Sequence, residues 1–492
     1  MGSNILEHVR FFQVEVAYTP FCTAAQSTAL QTQSVICRRA TREAPCRGCR
    51  FAFEAEPSTI GEELSAAAEK AKHYGFALAT VYMCYFTYGI QALILSQNKV
   101  NFYTQWGITD PTQGSAAVSM AIAWMGFGKL VSVWIGGEFS DRIGRKKFAV
   151  AGAIAYIVCF TLMLVVTDAT MCYVAAFLSG AATSGFWDAA LYPAAQEAEP
   201  KYAASGVIGI KAAVSVMGVI YPLFVAWFSV PEIWHVNIYL PIALSVVCLI
   251  MTIITPFRYD DERATKTEGD SGMDEAQAEI RAAKDAMLKK PGALVQVFTL
   301  LMAFICMFIM YGAQQYTKAF GMANLGLDEM GGAALASIYT VGSITAVFFW
   351  AVVMGKLRWN PLKVLLIDFA FSTLALALVL VVPNVAIVYV AIALLGFFAA
   401  GGALQTGLVV RQNYCPGPKG RNTGMYMTFM GVGATFLPFI VGAMTTAMGE
   451  TGALYAMMGL LLAASVVGLL FCIYLANQSK KLFGYTINRK MD

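Results

Sequence analysis

The chain has 492 residues, 58% of them hydrophobic and only 13% charged, with 43 glycines and a formal net charge of +4. That balance excludes an ordinary water-soluble globular protein, and so small a charge points neither to nucleic acid nor to an acidic partner. A helix needs about 20 apolar residues to cross a hydrocarbon core of roughly 30 Å, and runs of that length recur from about residue 74. A membrane barrel would show short alternating segments instead, so helices are predicted.

Residues 1–72 carry Arg38, Arg39, Arg42, Arg47 and Arg50 among small and polar residues, with no apolar run of membrane length. They read as a disordered cytoplasmic extension without a signal peptide. Cys46 and Cys49, with Cys22 and Cys37 upstream, resemble half of a zinc site, but the second pair has no common ligand spacing. No metal and no cofactor is expected.

Apolar runs bounded by turn residues then predict six spans near 74–97, 114–137, 148–166, 171–196, 202–229 and 235–256. They make a first half over residues 73–256. A charged linker, 257–291, cannot sit in lipid. Six further spans, near 292–316, 331–355, 362–382, 385–412, 422–447 and 452–476, form a second half over 292–478, and a tail follows over 479–492. The fold class is thus an all-α membrane protein of twelve helices in two six-helix halves.

Basic residues test the count, because a missed span would scramble their alternation. On one side lie Arg142, Arg145, Lys146 and Lys147, Lys201, the linker, Lys356, Arg358 and Lys363, Lys419 and Arg421, and in the tail Lys480, Lys481, Arg489 and Lys490. Loops on the other side are nearly bare, Lys99 and Lys318 excepted. A multi-pass protein of the cell (inner) membrane with both termini cytoplasmic is predicted.

Between the second and third spans the chain reads Gly136-Gly137-Glu138-Phe139-Ser140-Asp141-Arg142-Ile143-Gly144-Arg145-Lys146-Lys147. A glycine, Asp-Arg four residues on, then Gly-Arg and more basic residues resembles the signature of the major facilitator superfamily. The loop from Gly355 to Lys363 reads as a degraded copy without the aspartate. The resemblance, over residues 74–478, implies a transporter that works by alternating access. It also implies that Gly137, Asp141, Arg142, Gly144 and Arg145 latch the cytoplasmic ends of the halves. An aspartate at a helix terminus can accept backbone N–H bonds and pair with arginines, while glycines permit a tight turn.

Ionisable groups at membrane depth are costly and mark functional sites. Asp188 lies in the fourth span, Lys211 in the fifth and Lys129 in the second. Counted from the cytoplasmic ends at about 1.5 Å per residue, Asp188 and Lys211 share a depth and are expected to pair. Ser184 and Tyr192, four residues either side of Asp188, share its helix face. Asp188 is the candidate proton-coupling carboxylate. The substrate-binding candidates are Lys211, Lys129, Tyr85, Tyr88, Gln91, Trp187, Tyr192, Gln314, Gln315 and Gln405, a mixture of cations, aromatics and amides suited to carboxylate- or hydroxyl-bearing solutes. Each alone is as readily packing or interhelical glue.

Uptake of a small polar solute, whether an organic anion, sugar acid or sugar, by proton symport is the leading reading, with a small-molecule substrate, protons and the bilayer as partners and a monomer as the working unit. Export, including drug efflux, is the alternative, although the fifth span has Gly218-Val219-Ile220-Tyr221-Pro222 in place of the glycine-rich pattern the family's antiporters carry. A transport-inactive sensor is a third reading. An enzyme is not expected: His8, His73 and His235 are far apart, and no phosphate-binding glycine loop is present.

Overall fold

The structure is a computed structural model that describes residues 57–198, 203–258, 260, 287–382, 384–416 and 419–489. Chain contacts define two compact units, Met1–Ser65 and Ala66–Asp492. Of the first unit only 57–65 is described, as helix. The arginine-rich segment and its cysteines, and most of the charged linker, lie outside the described residues.

The helices are α1 (Pro57–Gln97), α2 (Pro111–Ile143), α3 (Arg145–Val165), α4 (Ala169–Ala181, a π segment Ala182–Asp188, then Ala189–Ala198), α5 (Ala203–Trp227) and α6 (Val236–Ile254). The second half continues with α7 (Ala293–Leu325), α8 (Glu329–Lys356), α9 (Pro361–Val381) and α10 (Val385–Leu395, a π segment Gly396–Gly402, then Ala403–Tyr414). A short helix, Lys99–Gln105, follows α1. Eleven helices among the described residues are long and apolar enough to cross a membrane. The last of these, Asn422–Phe483, has 62 residues. At about 1.5 Å per residue it would be about 90 Å long, three times a hydrocarbon core. Its backbone breaks at Gly449, with φ 78° and ψ 168°, so it is two helices, α11 before the break and α12 after it.

Local chemistry sets the helix starts. Asp110, Asp168, Asp328, Asn360 and Asn384 each accept an N–H of the first turn with the side-chain oxygen, and Pro111 and Pro361 follow two of them. Each such cap contributes about 1 kcal/mol. Most of the loops that are bare of basic residues are therefore short capping turns.

Two departures from the predicted boundaries matter. The signature around Asp141 is the last turn of α2, and Gly144 alone joins α2 to α3. The loop expected between the last two spans, at 448–451, is a single broken residue, Gly449.

Apolar burial forms one large cluster in each half, and Tyr311 and Ala434 of the second half join the first cluster. The halves also share polar contacts. Lys99 pairs with Glu450, and Ser115 donates to the same carboxylate at 2.6 Å. Gln315 donates to the Ala92 carbonyl at 2.6 Å, and Lys318 donates to the Gln97 carbonyl at 2.9 Å. Ser337 and Thr340 of α8 donate to the Val219 and Gly218 carbonyls of α5. These residues lie in the half of each helix away from the linker. Lys318 also pairs with Glu329, beside a cavity of 220 Å³ that Ser96, Lys99 and Ser229 help to line. The bundle is closed at the end where Gly449 lies.

Candidate transport site

Small residues bring α2 and α4 together. A Cβ on Gly180 would meet the Met125 carbonyl at 1.9 Å, and one on Gly136 would meet the Gly185 carbonyl at 2.1 Å. This close approach sets Lys129 of α2 beside the π segment of α4. A π turn adds a residue to the turn and turns side chains that follow onto another face. Here it ends on Asp188.

Asp188 accepts two hydroxyl hydrogen bonds, from Tyr85 at 3.0 Å on Oδ1 and from Ser184 at 3.0 Å on Oδ2. The Lys129 ammonium lies 4.8 Å from the ring centroid of Tyr88, within electrostatic reach of Asp188. Tyr85 and Tyr88 pack edge to face at 5.6 Å. Tyr311, on α7 of the other half, comes within reach of Tyr88, and its buried hydroxyl makes no hydrogen bond among the described residues. One carboxyl, one ammonium and three phenols therefore meet where the halves face each other.

The expected Asp188–Lys211 pair does not form. Lys211 borders a recess with Ser215, Ile344, Val347 and Phe348, at the seam of α5 and α8. Among the described residues, the cation that acts on Asp188 is Lys129. Equal depth does not bring two side chains together when their helices turn them to different faces.

Trp187 is also placed elsewhere. It is fully buried, stacks on Tyr156 at 4.1 Å and donates from Nε1 to the Ala149 carbonyl at 3.2 Å, which fastens α4 to α3. Gln91 donates to Ser179 at 2.7 Å and ties α1 to α4, and Gln315 ties α7 to α1. Both amides act as interhelical glue. Tyr192 is 37% exposed and within electrostatic reach of Asp188, while Gln314 is half-buried. The side chain of Gln405 lies outside the described residues.

At the linker end, Arg145 is buried. Its guanidinium donates to Ser140 at 3.0 Å, to the Ala189 carbonyl at 3.4 Å and to Glu197 at 3.1 Å, so it gathers α2, α3 and α4. The α3 N-terminus is capped from the linker: Asp260 accepts from the Arg145 N–H at 3.0 Å and the Lys146 N–H at 2.8 Å. Gly144, at φ 114°, leaves room for this carboxylate, which a Cβ would meet at 2.4 Å. The side chain of Asp141, the expected N–H acceptor, lies outside the described residues. Asp260→Ala is expected to cost about 1 kcal/mol, and thermal denaturation in detergent would show it. Gly137 and Arg142 lie in the same terminal stretch of α2.

Sequence reasoning also passed over buried groups. Arg411 is 4% exposed and donates to the Gln296 carbonyl, to Thr299 and to Cys415, fastening α10 to α7. Tyr311 was hidden among apolar neighbours, where a phenol is indistinguishable from packing.

The Major Facilitator Superfamily family model matches residues 75–416. The chain belongs to this superfamily. The transporter is 27% identical over 368 residues to the inner membrane transport protein YdiN of Escherichia coli (strain K12), covering 74% of this chain and 82% of that one. It is 27% identical over 406 residues to the uncharacterized MFS-type transporter YfkL of Bacillus subtilis (strain 168), covering 82% and 96%. Among solved structures, a D-xylose-proton symporter matches with a TM-score of 0.64 at 12% identity, covering 81% of this chain and 97% of that one. The nucleoside transporter NupG (D323A mutant) matches with a TM-score of 0.62 at 11% identity, covering 81% and 99%. The superfamily's proteins are transporters, not enzymes, and this chain is a multi-pass membrane protein that takes a small-molecule substrate.

Proposed function

We propose that this transporter takes up a small organic anion together with a proton. The observation that carries the reading is the Asp188 cluster. A carboxyl bonded by Tyr85 and Ser184 within reach of the Lys129 ammonium gives one group for a proton and one for a carboxylate, between the two halves. A substrate carboxylate that engages Lys129 withdraws that cation from Asp188, and a proton on Asp188 then replaces the lost charge balance. Each cargo favours the other.

Sugar acids and sugars fit the same phenols and hydroxyls, and Lys129 supplies the preference for anions. The distant structural neighbours carry xylose, nucleosides or, in one human protein, organic anions, and at their identity to this chain they speak for the fold alone. In this reading the linker and both termini face the cytoplasm, one chain works alone, and the closed Gly449 end faces outward. Gly137, Asp141, Arg142, Gly144 and Arg145 hold the opposite end when the cycle reverses.

Purified transporter in liposomes tests it. With a panel of labelled organic acids and sugars, an acid-outside gradient should accumulate an anion above its outside concentration, and counterflow should proceed without the gradient. Accumulation driven by an alkaline exterior would indicate export, and the absence of counterflow for every solute would indicate a sensor.

A further inference from the structure

The second half contains an acid that the transport cluster does not use. Asp368, about two turns into α9, is fully buried, and neither carboxyl oxygen has a hydrogen-bond partner. The Trp350 N–H of α8 is aimed at the same spot without completing a hydrogen bond, and is itself unpartnered. A Cβ on Gly402 of α10 would meet Asp368 Oδ2 at 2.3 Å and Trp350 Nε1 at 2.6 Å. The other titratable groups that sense Asp368 are the thiols of Cys306 on α7 and Cys472 on α12, and no Lys or Arg acts on it among the described residues.

The two halves repeat this arrangement. In each, the fourth helix carries a seven-residue π segment, and each segment ends against a carboxyl: the first on Asp188 itself, the second on Gly402, which touches Asp368. Single-turn π segments inside α-helices are frequent at functional sites, and transporter halves related by internal repetition place their sites in corresponding positions. The difference is chemical. Asp188 has hydroxyl donors and a nearby ammonium, whereas Asp368 has neither.

An ionised carboxylate at such a place, without a cation and without a completed hydrogen bond, costs several kcal/mol. We propose that Asp368 is a second proton-binding site, filled by a proton while α9, α8 and α10 are packed as they are here. Proton uptake converts the carboxylate to a carboxylic acid, and release to water requires α10 to withdraw from α9. A proton on Asp368 does not depend on whether Asp188 couples transport.

Infrared spectroscopy of the transporter in bilayers reads the proton directly, because a protonated carboxyl has a C=O band apart from the carboxylate bands. The expected result is a band at neutral pH that persists in Asp188→Asn and is lost in Asp368→Asn. Asp368→Glu, which keeps the carboxyl should the asparagine variant fail to fold, should shift the band. A wild-type spectrum without the band, or a band indifferent to both substitutions at Asp368, overturns the assignment. So does a band that sodium removes at fixed pH, which would make the site one for a metal cation.

Discussion

Trp187→Ala is expected to leave little folded transporter, and whatever survives should melt far below the wild type. Removing a fully buried indole costs about 3–5 kcal/mol through lost transfer energy and the cavity left behind. The stack on Tyr156 adds about 1 kcal/mol, and the bond to the Ala149 carbonyl about as much again. A sum of that size is comparable with the whole stability of a typical domain. Trp187→Phe keeps most of the volume and the stack but loses the bond, so it should fold with a loss of about 1 kcal/mol. Its apparent affinity for substrate should be unchanged. Size-exclusion yield, thermal denaturation and uptake kinetics together check this, and a normal yield with weakened substrate affinity would return Trp187 to the binding site.

The same residue shows what the sequence could carry. Span positions were legible because lipid demands about 20 apolar residues per crossing, and the capping residues at their ends are written in the chain. The glycine and aspartate spacing before Arg145 was legible for a similar reason: one residue, Gly144, turns the chain between α2 and α3. Rotation about the helix axis was not legible. A regular helix advances about 100° per residue, and an added residue in a π turn shifts everything beyond it by about that angle. Trp187 and Asp188 sit at the end of such a segment, so counting four residues either way found Ser184 but could not tell that Trp187 faces α3.

Depth without rotation also explains the choice of Lys211 over Lys129. Both lysines interrupt apolar runs, and only the close packing of α2 on α4, through Gly180 and Gly136, decides which one reaches Asp188. Asp368 was missed for a plainer reason. It follows Pro361 by seven positions, near enough to the predicted start of a span to pass for a terminal charge, whereas α9 buries it completely. The Asp260 cap was illegible because it comes from the linker, outside any spacing rule for α3.

Asp188→Asn should abolish accumulation against a gradient while leaving exchange in place. The amide has nearly the shape of the carboxyl, and both of its neighbours are hydroxyls, which accept as readily as they donate. Tyr85 can go on donating to the amide oxygen, and Ser184 can turn to accept from the amide nitrogen. The substitution therefore preserves the packing and removes only the charge and the proton. Each coupled proton, carried with a monovalent anion, supports about tenfold accumulation per unit of pH difference, since a factor of ten corresponds to about 1.4 kcal/mol. Without that proton the anion should equilibrate and go no further, although labelled substrate should still exchange across the liposome. Lys129→Ala should instead weaken the binding of anions more than that of neutral sugars. The alternative, an Asp188–Lys129 pair that is only structural, makes a different forecast. Each single variant would then fold poorly because it leaves a charge uncompensated in the membrane, and the double variant Asp188→Asn/Lys129→Ala would regain both folding and gradient-driven uptake. Recovery of gradient-driven uptake in that double variant would exclude Asp188 as the carrier of the coupled proton, because no carboxyl would remain there to hold it.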